Sequence, residues 1–127
     1  MAEEKNFYEI VEKIYEADPR YKPDSYEFVL QAVEYTQKIL GKNGHVSGSQ
    51  LLEGIRKFAL KQYGPLAKTV LHHWGITTTA DFGTIVFIMI EHRLLSKTAE
   101  DSPKDFDNVY EFDSAFRHSI ADISPLS

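Results

Sequence analysis

At 127 residues, with 43% apolar and 13% aromatic side chains, the chain has the length and composition of one globular domain around a single core. It contains no cysteine, which excludes disulfides, thiolate metal sites and a cysteine nucleophile and leaves histidine as the soft ligand. A net charge of −5 argues against a surface built wholly for phosphate, and the acidic start Met1-Ala2-Glu3-Glu4 lacks the pattern of a secretory signal, so a cytoplasmic location is expected.

The charge is unevenly spread. Residues 1–44 carry −3, residues 45–98 carry +3 and residues 99–127 carry −5, so a mildly basic middle stands between two acidic ends. Asn6 with Glu9 forms a capping-box pattern ahead of Phe7, Ile10, Val11, Ile14 and Tyr15, predicting a first helix that ends near Ala17. Asp18-Pro19-Arg20-Tyr21 reads as a turn. From about Pro23 a second helix is expected, with Tyr26, Val29, Leu30, Val33, Ile39 and Leu40 mostly on one side and Glu27, Gln31, Glu34 and Lys38 on the other. Residues 1–41 thus form a helical hairpin extension.

Gly41-Lys42-Asn43-Gly44 breaks that helix, and His45-Val46 has room for a very short strand. Ser47 and Gln50 make the capping box of a third helix whose apolar residues are Leu51, Leu52, Ile55, Phe58, Ala59 and Tyr63. Gly64-Pro65 ends it and starts a short fourth helix, with Leu66, Val70, Leu71 and Trp74, closed by Gly75. The next helix, Phe82 to Leu95, is the most apolar stretch of the chain. Ile85 to Ile90 run without interruption and cover every side of a helix, so it must be packed all round. It is shorter than the roughly 20 residues of a membrane span, and no membrane is expected. Thr78, three residues before Asp81, caps its first turn.

Beyond it, Leu94-Leu95-Ser96-Lys97-Thr98 and Asn108-Val109-Tyr110-Glu111-Phe112 are expected to pair as a small hairpin. Ser114 to His118 adds a helical turn with Phe116 inward, and residues 119–127 read as a frayed tail. The expected fold is therefore mainly α: a compact single domain, 1–127, of five helices and a small C-terminal β-hairpin. Its residues 45–118 follow a winged-helix-like order after the two-helix N-terminal extension.

That order brings nucleic acid into view, but the side chains argue against it. The helix that would enter a groove offers Thr84, His92 and Arg93 among apolar residues. The wing would set Glu100, Asp101, Asp105, Asp107, Glu111 and Asp113 beside phosphates spaced one charge per roughly 1.7 Å of duplex. A basic cluster, Arg56, Lys57, Lys61 and Lys68, keeps a winged-helix nucleic-acid-binding regulator as an alternative.

Catalytic patterns are weaker. His72 and His73 are neighbours on a helix and diverge by about 100°, and a calcium loop begun at Asp101 or Asp105 lacks its glycine and its terminal glutamate. Glu91-His92, with Asp81 and Lys97, has no nucleophile beside it. No catalytic, cofactor-binding or metal residue is assigned and no cofactor is expected, which leaves a small metal- or ligand-dependent enzyme as the second alternative. Tyr8, Tyr15, Tyr21, Tyr26, Tyr35 and Trp74, at helical spacing, read as edges of the core.

His45-Val46-Ser47-Gly48, Leu51-Leu52-Glu53-Gly54-Ile55-Arg56, Gly64-Pro65-Leu66-Ala67, Trp74-Gly75, Asp81-Phe82-Gly83 and Leu94-Leu95-Ser96-Lys97-Thr98 together resemble a family of small, uncharacterised bacterial proteins. The resemblance spans nearly the whole chain; it implies a compact bacterial cytoplasmic domain and transfers no catalytic residue. The chain departs from the family at Ile88, where relatives carry a polar amide. The function expected is that of a bacterial accessory or regulatory protein acting through protein–protein contacts, with an unknown protein partner. A homodimer is also expected, because the side of the central helix bearing Thr84, Ile88 and Leu95 needs more cover than four other helices supply, the alternative being that the C-terminal segment, with Phe112 and Phe116, caps that helix within one chain.

Overall fold

The structure is a computed structural model and describes residues 2–41, 44–96 and 102–117. Among these, every regular element is helical. Helix α1 spans Ala2–Ala17, α2 Pro23–Leu40, α3 Gly48–Tyr63, α4 Ala67–His73 and α5 Thr79–Glu91. A 3-10 turn, Gly64–Leu66, leads into α4; another, Pro103–Phe106, precedes a one-turn helix α6, Phe112–Ala115. No described helix is long and apolar enough to cross a membrane.

The stop and start signals act where the sequence puts them, with one exception. Ser47 Oγ accepts from the Gln50 amide at 3.1 Å and Gln50 Oε1 from the Ser47 amide at 2.9 Å, so α3 starts with both halves of its capping box. Gly41 closes α2 in the left-handed conformation at φ 66°. The exception is Asn6: α1 begins at Ala2, so Asn6 lies within the helix and is not its cap.

Helix α2 packs on both α3 and α5. Against α3 the approach is closest at Gly54, where an added Cβ would stand 1.7 Å from Thr36 Oγ1. Phe28 of α2 sits among Phe58, Tyr63 and Trp74 at ring distances of 5.4, 6.1 and 5.5 Å. The α1–α2 turn is seated on the α4–α5 turn by the Lys22 amide, which donates to the Trp74 carbonyl at 3.1 Å. Glycine is required there. Gly75 has φ 94°, and a Cβ on it would lie 2.3 Å from the Arg20 carbonyl oxygen.

Helix α5 is fully buried on one side and partly covered on the other. Phe82, Ile85 and Met89 have no solvent exposure, while Thr84, Phe87, Ile88 and Ile90 are half-buried. It ends at Glu91, four residues short of Leu95, because the backbone reverses at Arg93.

The expected β-hairpin is corrected by the structure. Leu94–Ser96 fold back on the end of α5, and Asn108–Phe112 run without strand pairing; Lys97 and Thr98 lie outside the described residues, as do His118 and the tail 119–127. His45-Val46 is likewise not a strand, although Val46 is buried. The segment bonds to helices instead: the Val109 amide donates to Thr79 Oγ1 at 3.1 Å and the Tyr110 hydroxyl to the Leu52 carbonyl at 2.8 Å. Phe106, Phe112 and Phe116 are buried with it, Phe112 stacking on Phe82 at 5.8 Å. A lone two-stranded ribbon is marginal in water, so these aromatic rings are better placed filling gaps on the helices. With the hairpin gone, the described residues contain no wing.

Candidate functional site

A cleft of about 410 Å³ lies between α2, α5 and the segment that enters α3. One wall is α2, through Leu30, Val33, Glu34 and Gln37; the other is the end of α5, through Val86 and Phe87, followed by Arg93 to Ser96. The Gln37 amide donates to the Gly44 carbonyl at 2.7 Å, which ties the Gly44–Gly48 segment to α2. Phe106 lies at the base, held edge-on to Phe87 at 6.2 Å.

The shape of the α5 wall follows from how the helix ends. The Arg93 amide donates back to the Ile90 carbonyl at 3.0 Å and the Leu94 amide to the Met89 carbonyl at 2.8 Å. This closing pattern needs a left-handed residue, usually glycine, and Arg93 fills it at φ 62°. The reversal turns Leu94 and Leu95 into the cleft and leaves the Arg93 side chain exposed at its edge.

At its other end, α5 is capped by an acid held on two sides. Asp81 Oδ1 accepts from the Tyr21 hydroxyl at 2.6 Å, and Oδ2 from the amides of Thr77 and Thr78 at 2.9 and 3.1 Å. Desolvation acts to raise the pKa of Asp81, but the donors from Tyr21, Thr77 and Thr78 outweigh it and hold the carboxyl below its ordinary value. Because the folded state lowers this pKa, the stabilisation is present above the unfolded value and is lost as pH falls through the folded one. Asp81→Ala is expected to lower stability by about 1 kcal/mol at pH 7, the usual cost of a lost helix cap. That deficit should fade as pH is taken below about 4, which denaturant titrations across pH 2–7 would register.

No family model, curated protein or solved structure matches this chain.

The residues singled out in sequence are dispersed. Thr84 and Ile88 are half-buried on α5, with the Thr84 hydroxyl donating to the Ala80 carbonyl at 3.2 Å, whereas Leu95 lines the cleft that neither of them reaches. Of the basic cluster, Arg56 grips Glu53 through two hydrogen bonds of 3.0 and 2.7 Å, Lys61 lies 5.5 Å over the Tyr35 ring, and Lys68 is paired with Asp113. Lys57 is exposed on α3 and, among the described residues, has no such bond or ring contact, its charge standing near Glu53. Lys68 therefore meets the acidic C-terminal segment within its own chain.

Glu91 and His92 are exposed at one end of α5, about 15 Å of helix away from Asp81 at the other. Among the described residues, no three potential metal-ligating side chains come together. The cleft itself had no sequence signal. Its walls come from four separate stretches, and a glycine at position 93 is what would have marked the reversal.

Proposed function

We propose that this chain is a bacterial, cytoplasmic accessory or regulatory protein that works by binding another protein chain, with the cleft beside α2 as the binding surface. The observation that carries this reading is the cleft's lining, open to solvent, in which Leu30, Val33, Val86 and Leu95 stand among polar and charged groups such as Glu34, Gln37 and Arg93. Such a surface suits apolar anchors within a polar rim. The alternative of duplex binding rests on Arg56, Lys57, Lys61 and Lys68. It is the weaker, since three of those four already have partners in the chain.

The test is photo-cross-linking in the native host from a benzophenone side chain at the exposed Ser96, with Lys13 on α1 as the control position. A discrete protein adduct is expected at Ser96 and not at Lys13, and it should disappear when Val33→Arg blocks the cleft. Equal labelling at both positions would count against the reading. So would tight duplex binding that falls log-linearly with salt and weakens in Lys57→Glu.

A further inference from the structure

We infer that the partner seated in the cleft is a second copy of this chain, each copy laying the outer ridge of its α2 into the cleft of the other. This rests on the reading that the chain acts by binding protein, and it identifies the partner. Helix α2 stands between two hollows: Glu34 lines the cleft on one side and, on the other, a larger and more open groove that passes Tyr35, Ile39 and Phe58. A ridge beside a hollow is self-complementary under a two-fold axis, since the rotation that seats one ridge seats the other as well.

The far end of that ridge is apolar and bare. Ile39 is 50% and Leu40 41% exposed, two adjacent large apolar side chains that the fold of one copy leaves in water. Leu95, at the opposite wall, is the residue of the expected Thr84–Ile88–Leu95 face that such a contact would cover.

Charge then fixes the register. Two chains of −5 repel as wholes, so copies meet where opposite charges face each other. Glu34 on the ridge and Arg93 at the cleft edge have no ion pair among the described residues, and the two-fold arrangement sets each Glu34 against the Arg93 of the other copy. The backbone at Arg93 adds a second line of argument. Its left-handed conformation is one that glycine adopts without strain, so the fold gains nothing from arginine there, and what the position offers is the guanidinium.

Sedimentation velocity on the wild type, Glu34→Arg, Arg93→Glu and the double exchange tests this. The wild type is expected to dimerise, and each single variant to associate at least about tenfold more weakly, because two attractions become two repulsions. The double variant restores opposed charges and should recover to within about threefold of wild type. Arg93→Gly separates association from folding: its melting temperature should rise by about 4 °C while association is lost. A wild type still monomeric at about 500 μM overturns the inference, as do single variants that dimerise normally or a double variant no better than the singles. A cross-link from Ser96 to a different protein would in that case leave the broader reading standing.

Discussion

Phe106→Ala is expected to destabilise the chain by about 3–5 kcal/mol, the range for a core phenylalanine. The ring is 2% exposed and is clamped between two helices at glycines. A Cβ on Gly83 would lie 2.7 Å from Phe106 Cβ, and one on Gly48 would lie 3.2 Å from its Cε1. Walls made of glycine backbone have no side chains to swing into the space left by a deleted ring, so the void persists. A domain of this kind has a total stability of roughly 5–15 kcal/mol, so the loss is a large share of it. Urea titrations of both proteins measure the difference. A cost below about 1 kcal/mol would mean that segment 102–117 does not belong to the cooperative core.

Gly54→Ala is expected to cost about 2–3 kcal/mol, although alanine is the better helix former by about 1 kcal/mol. The sign is decided by space. The new Cβ would stand 1.7 Å from Thr36 Oγ1, 2.8 Å from its Cβ and 3.0 Å from its Cγ2, so no rotation of the threonine clears it and α2 and α3 must part. Thr36 is also fixed by its hydroxyl, which donates to the Ala32 carbonyl at 2.7 Å. Thr36→Ala in the same chain should relieve part of the clash, and the double-mutant cycle should yield a coupling of at least about 1 kcal/mol. If the two substitutions simply add, the helices are not held together at this point.

The helices were legible in sequence because their ends are local chemistry. Ser47 with Gln50, Asp81 beside Thr78, and the glycines at 41, 64 and 75 act within one turn of where they stand. Asn6 misled for the same reason: the pattern was present, but α1 starts at Ala2, ahead of it. The hairpin was read from an alternation at Val109, Tyr110, Glu111 and Phe112 that is real in sequence. Burial of Phe112 and the reach of Tyr110 to Leu52 override it, and those are long-range effects. Ile39 and Leu40 were assigned to the apolar side of α2, yet both are exposed, Ile39 at a groove it shares with Phe58 and Lys61 of α3. The cleft was invisible for a further reason: it depends on Arg93 taking a conformation that its residue type does not announce.

The Tyr21 hydroxyl on Asp81 and the Tyr110 hydroxyl on the Leu52 carbonyl join positions 60 and 58 residues apart. Helices of this length form in about a microsecond or less, whereas closing such loops must await the diffusive meeting of distant chain segments and carries their entropy. Formation of these two bonds therefore waits on loop closure and not on helix formation. The α5 cap is completed only once the α1–α2 turn arrives, and the base of the cleft is secured only once the C-terminal aromatics have docked.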